Sequence, residues 1–299
     1  MGRNWEERKK EEKMTFYSPL RYPGGKAKLS KYFKNLILNN NLKNGTYVEI
    51  YAGGSSIALS LLIEGYVSKV IINDNDKSIY ALWYSILNHP RKLCNLIEKT
   101  PLTIKNWRIQ KDIQKNKDKY DLLTLGFSTL FLNRTNRSGI INAGVIGGLN
   151  QEGKWKMDAR FNKENLISRI KLIARHKDKI KLYNLDAVRL IKRIKNRLPE
   201  KSLIYLDPPY YYKGKELYMN YYDYEDHKEI SEVIKKVIKI KWVITYDDVG
   251  PINDLYKGFD NYSYLLNYSA ANSGKGRETI IFSSGMNHSP EGLILAHSP

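Results

Sequence analysis

The residues best suited to chemistry form the short run Asp207-Pro208-Pro209-Tyr210, which follows the apolar segment 203–206. Each proline fixes its own φ and disfavours a helical conformation in the residue before it, so the chain leaves the segment extended and stiff. A carboxylate and a neighbouring proline carbonyl can accept both hydrogens of one NH2 group, and a tyrosine ring can stack on a planar base. We predict that Asp207 and Pro208 hold an amino group and that Tyr210 stacks on its base. The alternative is that the prolines only end a strand and Tyr210 closes the core.

A second candidate site is the segment Tyr47–Ser56, which has the pattern of a strand, a glycine turn and the start of a helix. Glycine allows close approach of the backbone to a ligand, and Ser55 or Ser56 is placed to cap the helix. Asp74 follows the next predicted strand, where an acidic side chain binds a ribose hydroxyl in nucleotide-binding α/β folds. The pattern indicates a nucleotide-containing cofactor but does not distinguish a nicotinamide from an adenosyl group. An ordinary strand-to-helix turn is the alternative.

A further glycine turn, Tyr22-Pro23-Gly24-Gly25-Lys26, lies near the N-terminus. Lys26 could bind a carboxylate, and Tyr22 could pack on an adenine or a sulfonium group. The alternative is a simple turn before the first helix.

The elements that must position these residues alternate between strands and helices. The predicted strands are 47–50, 70–73, 180–183, 203–206 and 242–246, and the predicted helices are 55–65, 77–88, 187–195 and 230–240. This alternation predicts an α/β fold with a mostly parallel sheet covered by helices. The last two predicted strands, 262–268 and 279–283, are joined by a glycine-containing turn and predict an antiparallel hairpin.

The alternation stops between residues 90 and 179, where long polar helical segments precede a glycine-rich passage. We therefore predict an inserted, mainly helical lobe at 90–179 within a domain formed by 14–89 and 180–285. Residues 1–13 are predicted to be a charged tail and residues 286–299 a C-terminal tail.

The chain of 299 residues has a formal net charge of +19, which predicts a polyanionic partner such as nucleic acid. The abundant Lys, Asn, Ile and Tyr of an A+T-rich genome offer an alternative explanation for part of this charge. Within the lobe, candidates for reading base edges are Arg134, Asn136 and Arg137, although phosphate contacts and structural hydrogen bonds remain open for each. Lys275 and Arg277, in the predicted glycine-flanked turn, are candidates for phosphate contacts.

Several classes of protein are excluded. The single cysteine, Cys94, excludes a disulfide framework and fits a reducing compartment. No apolar run approaches the ~18 residues needed to cross a bilayer, and residues 1–13 contain no apolar signal core. We therefore expect a cytoplasmic protein with no membrane partner and no metal site. Cys94 also lies in a helical pattern without a preceding proline, so we interpret it as a core residue.

Three motifs occur in the order Tyr22–Lys26, Glu49–Gly54 and Asp207–Tyr210, and together they resemble the Dam-like (D12 class, α-group) site-specific DNA adenine-N6 methyltransferases. The resemblance extends from about residue 17 to residue 283. It implies a Rossmann-like methyltransferase sheet, a target-recognition domain in the inserted lobe, S-adenosyl-L-methionine as cofactor and double-stranded DNA as substrate. A cognate restriction endonuclease is a candidate partner.

The resemblance also implies roles for individual residues. The positions that match cofactor-binding residues of the family are Tyr22, Lys26, Tyr51, Ala52, Gly53, Gly54, Ser55, Asp74, Asp186 and Asp207. Asp207 matches the catalytic acid, and Asp186 matches an acid or amide beside the cofactor adenine. Ser55 replaces a glycine of the family pattern and adds bulk on the methionine side of the cofactor.

In this interpretation, acceptance of both N–H groups by Asp207 and Pro208 makes an adenine amine nucleophilic toward a sulfonium methyl group. The base must leave the duplex to reach such a pocket. An N4-cytosine methyltransferase would use the same chemistry, although aspartate at 207, where serine is commoner in that group, favours adenine. RNA or protein-amide methyltransferases usually resemble an Asn-Pro-Pro-Tyr pattern. A catalytically inactive DNA-binding relative is an alternative from another class.

Overall fold

The computed structural model describes residues 16–21, 26–211, 222–237, 239–267 and 275–296. Its strands are β1 (Thr46–Glu49), β2 (Lys69–Asn73), β3 (Ile180–Tyr183), β4 (Ser202–Leu206), β5 (Lys241–Asp247), β6 (Asn261–Asn267) and β7 (Lys275–Phe282). They form one sheet with the order β3-β2-β1-β4-β5-β7-β6. The first five strands pair in parallel, whereas β7 is antiparallel to both β5 and β6. The predicted mostly parallel sheet with a C-terminal antiparallel hairpin is confirmed.

The α-helices of the described residues are α1 (Ser30–Asn39), α2 (Ser56–Ile63), α3 (Lys77–Asn88), α4 (Pro90–Lys99), α5 (Ile104–Lys115), α6 (Leu122–Thr135), α7 (Lys163–Ala174), α8 (Ala187–Ile194), α9 (Tyr224–Lys235) and α10 (Gly250–Leu255). The helix predicted over 230–240 is α9, which begins earlier because Asp223 and Asp226 form a capping box. No helix in this part of the chain is long and apolar enough to cross a bilayer.

The sheet is buried on both faces. Along β4, Leu203 and Tyr205 contribute to one apolar core, while Ile204 and Leu206 contribute to the other. Because side chains alternate across a strand, a continuous apolar run such as this one supplies both cores. The first core is completed by α1 to α4, α6 and α7, and the second by α8 to α10.

The inserted helices share their core with the rest of the domain, and a small separate cluster joins Ile113 of α5 and Leu125 of α6 to Ala81 of α3. Residues of α4, α6 and α7 belong to the same buried cluster as the sheet and α1 to α3. Helix α6 is buried around much of its surface and packs between α3 and α5. The shared core fixes α4, α6 and α7 against the sheet. The boundaries of the lobe at residues 90 and 179 stay a prediction.

The C-terminal segment differs from its prediction as a tail. Met286 is buried in the first core, and the backbone of Leu265 and Ser263 in β6 bonds to Ile294 and Ala296. The prediction of a tail from residue 286 is therefore wrong as far as residue 296, because this segment pairs with the edge strand of the sheet. The predicted charged tail at 1–13 lies outside the described residues.

Candidate active site

A cleft opens at the sheet edge where β1, β2 and β4 end. These strands are parallel neighbours, so their carboxyl ends lie side by side, as in other ligand-binding α/β sheets. The predicted site residues that line the cleft are Lys26, Tyr51, Ala52, Gly53, Gly54, Ser55, Asp74 and Asp207. The topology thus brings together residues that are far apart in sequence.

The loop after β1 adopts a conformation that favours glycine. Gly53 has a φ of 43° and Ser55 a φ of 46°, both in the left-handed region. The Gly53 N–H donates to Oδ2 of Asp74 at 2.9 Å, which ties the loop to the end of β2. Ser55 precedes α2, but its hydroxyl donates to the Ala52 carbonyl and makes no capping bond. The predicted capping role of Ser55 is therefore wrong.

Glu49 is a buried carboxylate that the sequence prediction left without a role. It ends β1, lines the cleft and is 5% exposed. Its carboxylate accepts a hydrogen bond from the Ala58 N–H in the first turn of α2, whereas Oε2 is buried without a hydrogen-bond partner in the described part of the chain. Burial, with the nearby Asp207 charge, raises the pKa of Glu49 well above its usual range. The sequence did contain a signal for Glu49, namely an acidic residue at the end of an apolar strand, since buried glutamates are rare.

Asp207 is fixed through one of its two oxygens. Oδ1 accepts hydrogen bonds from the Thr245 hydroxyl at 2.8 Å and from Nζ of Lys26 at 3.0 Å. Because the threonine hydrogen is given to Asp207, the Tyr205 hydroxyl, 2.8 Å away, donates to Thr245. Burial raises the pKa of Asp207, and Lys26 opposes this rise. Oδ2 has no polar partner among the described residues, so Asp207 presents one acceptor to the cleft.

Lys26 is held by a second carboxylate that the sequence prediction missed, Glu278 of β7. Glu278 is fully buried, and each of its oxygens lies 3.3 Å from Nζ of Lys26. Oε2 also accepts the Tyr264 hydroxyl at 2.5 Å. Burial would lower the pKa of Lys26, but Asp207 and Glu278 outweigh it and raise this pKa well above its usual range. The lysine predicted to bind a cofactor carboxylate is therefore paired with two protein carboxylates.

Tyr210 does not present its ring to the cleft in this structure. It is 4% exposed, and its hydroxyl donates to Oε1 of Glu278 at 2.7 Å. Nζ of Lys26 lies 5.3 Å from its ring centroid. The predicted stacking of Tyr210 on a base is not supported, because these contacts keep the ring in the buried network. The aromatic rings close to the mouth are Tyr51 and Tyr222, whose hydroxyls are 3.3 Å apart.

The model of the family described as D12 class N6 adenine-specific DNA methyltransferases matches residues 22–268. The chain belongs to this family. The D12 class methyltransferase therefore uses S-adenosylmethionine to methylate N6 of adenine in DNA.

Among solved structures, this methyltransferase is similar to the rRNA methyltransferase aviRa from Streptomyces viridochromogenes, with 10% identity over 85% of this chain and 83% of that chain, and a TM-score of 0.38. It is also similar to a SAM-dependent methyltransferase from Agrobacterium tumefaciens, with 9% identity over 85% of this chain and 60% of that chain, and a TM-score of 0.40. No curated protein matches the sequence.

The cleft of the methyltransferase contains groups that suit its cofactor. Asp74 is half-buried and accepts the N–H groups of Gly53 and Asp76, which hold its carboxylate at the cleft wall. Burial, with the Asp76 charge, raises the pKa of Asp74 to about 7. A carboxylate can accept hydrogen bonds from ribose hydroxyls, and the unpaired Oε2 of Glu49 can accept one from an ammonium group.

The structure leaves two other predicted cofactor residues, Asp186 and Tyr22, without a test, and of the two only Asp186 is described and is not among the residues lining the cleft. Asp186 is exposed and accepts the Arg189 N–H at 3.2 Å, so it caps α8. Its place after β3 nevertheless puts it at the same sheet edge. Tyr22 lies outside the described residues. The cofactor roles of both residues stay predictions.

We expect the affinity of the methyltransferase for S-adenosylhomocysteine to depend on the ionisation of Asp74. A ribose hydroxyl donates a hydrogen bond to the carboxylate form of Asp74. In the free protein the pKa of Asp74 is about 7, so this form becomes dominant only above that pH. The dissociation constant should therefore fall as the pH rises from about 6 to about 8, by up to about tenfold per unit below the pKa. Calorimetric titration across this pH range measures the effect.

Two variants provide the controls. Asp74→Asn should bind S-adenosylhomocysteine weakly. Its affinity should vary with pH only through the ionisation of the ligand itself. Asp76→Asn keeps the side-chain cap of α3 but removes the charge that helps to raise the pKa of Asp74, so the inflection should move to lower pH. Identical pH profiles for the wild type and Asp74→Asn would exclude Asp74 from the cofactor site.

The residues predicted to bind DNA have different environments. Asn136 is fully buried, accepts the Trp107 indole N–H at 2.7 Å and donates to the carbonyls of Ile140 and Ile141. Its predicted contact with a base is not supported, because its amide is committed to these bonds. Arg137 is exposed and lies against Gly144, so it remains a candidate.

Two further DNA-binding predictions are changed by the fold. Arg134 is partly buried, and its guanidinium donates to the Pro19 carbonyl, which favours a structural role over base contact. Arg277 lies within β7 rather than in a turn, and its Nε pairs with Asp248 at 2.7 Å. This pair engages only Nε of the exposed side chain, so the predicted phosphate contact stays a prediction. The Lys275 side chain lies outside what the structure describes.

Proposed function

We propose that the cleft methylates an adenine that has left a DNA duplex at a specific sequence, with Asp207 as the catalytic acid. The observation that carries this proposal is the asymmetry of Asp207. Oδ1 is fixed by Lys26 and Thr245, while Oδ2 has no polar partner among the described residues and Asp207 lines the cleft. An exocyclic amine with two N–H groups suits Oδ2 together with the Pro208 carbonyl. Holding both hydrogens turns the nitrogen lone pair out of conjugation with the base.

The remaining cleft residues would hold the cofactor. Asp74 would accept the ribose hydroxyls, and the loop Tyr51–Ser55 would lie beside the methionine portion. S-adenosylmethionine supplies an electrophilic methyl group on a sulfonium sulfur when it is bound. The largely buried environment of Asp207, which raises its pKa, would strengthen its hydrogen bonds to the amine.

DNA recognition is assigned to the lobe at 90–179. Arg137 offers a guanidinium suited to guanine or to phosphate, and the overall charge of +19 favours any polyanionic duplex. Within a restriction-modification system, a cognate endonuclease would read the same sequence. We place this activity in the cytoplasm, where the DNA substrate and the methyl donor meet.

Transfer of a tritiated methyl group to nucleic acid tests this function. Unmodified duplex DNA should accept the label in amounts that rise with the number of target sites, while RNA and bulk protein should remain unlabelled. A protein that binds S-adenosylhomocysteine but labels no DNA would contradict the proposal, as would preferential labelling of RNA.

A further inference from the structure

Four arginines gather where the inserted helices meet the N-terminal segment 16–21. We call them the arginine cluster: Arg21, Arg134 in α6, Arg160 in the turn before α7, and Arg169 in α7. Arg134 donates to the Pro19 carbonyl, and Nη1 of Arg169 donates to the Ser18 carbonyl at 2.7 Å. These bonds attach two guanidinium groups to one short stretch of backbone.

The backbone of Arg21 is fixed at the same place. The Asn133 side chain accepts the Arg21 N–H at 2.8 Å and donates to its carbonyl at 2.7 Å. Gly139 packs so closely on Arg21 that a Cβ there would lie 2.5 Å from the Arg21 carbonyl oxygen. The lobe therefore fixes the position of the Arg21 backbone, from which the partly exposed side chain extends.

The cluster has no counter-charge within the described part of the chain. None of its four members forms an ion pair with a carboxylate there. Nη1 of Arg21 is buried and has no hydrogen-bond acceptor among the residues that the structure describes. Burial and the charge of Arg160 lower the pKa of Arg21, and burial with Arg169 and Arg21 lowers that of Arg134. Since arginine keeps its proton in proteins, these shifts express the cost of burying these charges, to which repulsion between them adds, and an anion would relieve both.

We propose that the arginine cluster binds one backbone phosphate of the DNA substrate, chiefly through Arg21 and Arg160. A phosphodiester supplies paired acceptor oxygens that match the planar donor groups of arginine. The location agrees with this ligand. A chain extends at most about 3.6 Å per residue, so Arg21 lies within about 18 Å of Lys26 in the cleft. DNA rises about 3.4 Å per nucleotide, so this maximum separation corresponds to roughly five nucleotide steps. A phosphate at Arg21 would therefore lie within a few nucleotides of a target base in the cleft.

This inference rests on the proposed function because it assumes that DNA is the substrate in the cleft. Arg134 and Arg169 also bond to the backbone, so replacing them would disturb the lobe. Arg21 and Arg160 are therefore the informative positions. Arg197, an exposed arginine near the amino ends of β1 to β3, is at the opposite end of the sheet and provides a control in which one arginine charge is removed outside the cluster.

The test measures duplex binding by the full chain as a function of salt, between about 50 and 200 mM. The double variant Arg21→Gln/Arg160→Gln should bind roughly tenfold more weakly, and its plot of log affinity against log salt should be shallower by about 1. Arg197→Gln should bind like the wild type. Arg21→Lys should retain the wild-type slope, because lysine keeps the charge. Melting temperature and S-adenosylhomocysteine affinity should be unchanged in all variants.

An unchanged salt slope in the double variant would overturn the proposal. A loss of affinity confined to certain sequences, with the wild-type slope retained, would also overturn it, because it would assign Arg21 to a base. Failure of the proposed function has a different signature, in which the wild type itself neither binds nor methylates duplex DNA.

Discussion

Replacing Asp207 by alanine is expected to reduce the rate of methyl transfer by at least about 10³-fold at saturating cofactor. The variant loses the carboxylate acceptor that faces the cleft, so an amine there would keep its lone pair delocalised. Lys26 remains paired with Glu278, so the buried network should survive. Initial rates with a tritiated donor, measured at several donor concentrations, separate a loss of chemistry from a loss of cofactor affinity.

Two other variants make this result specific. Asp207→Asn keeps one carbonyl acceptor but weakens the contact with Lys26, so its rate should fall between those of the alanine variant and the wild type. Asp254→Ala removes an exposed carboxylate of α10 outside the cleft and should leave the rate unchanged. Near wild-type transfer by Asp207→Ala would remove Asp207 from the mechanism.

The substitution Glu278→Gln is expected to lower the free energy of unfolding by about 3–5 kcal/mol, the usual cost of breaking a buried ion pair. The amide carries no charge for Lys26, and its NH2 group would replace an acceptor that now receives a tyrosine hydroxyl. Urea denaturation measures this change. The rate of methyl transfer should fall as well, because Glu278 helps to fix the position of Lys26, which in turn bonds to Asp207.

A surface ion pair offers the matched control. Lys34 and Glu64 lie 2.7 Å apart but are partly exposed, so Glu64→Gln should change the free energy of unfolding by less than about 1 kcal/mol. Adding Lys26→Met to Glu278→Gln should cost further stability, because the buried Asp207 would then lose its charged partner as well. A loss below about 1 kcal/mol for Glu278→Gln would show that the buried network does not stabilise the fold.

Local patterns were enough to predict the sheet and the cleft. The apolar run before Asp207 and the glycine turn after β1 are signals within a few residues, and the rule for parallel sheets places their ends together. The predicted helix 77–88 agrees with α3 because its apolar spacing and the preceding Asp76 both mark it. Such features depend on neighbours in sequence, so the sequence alone reveals them.

The buried network could not be predicted in this way. Glu278 reaches Lys26 only because β7 lies antiparallel beside β5, and this pairing joins residues that are distant in sequence. Thr245 likewise reaches Asp207 through the register of β4 and β5. Asn136 resembled a base-reading residue until the fold placed it against Trp107. Glu278 directly precedes the run 279–282, which is mostly apolar. An acidic residue at this place was the one local sign that Glu278 required a buried partner.

The most direct test of the central claim is to identify the modified base and its position. Unmethylated genomic DNA is incubated with the purified protein and S-adenosylmethionine, and modified bases are then mapped by sequencing. The structure and the family predict N6-methyladenine at every copy of one short recurring sequence, and no mark when Asp207→Ala is used. N4-methylcytosine, or the absence of any mark with the wild-type protein, would contradict the assignment.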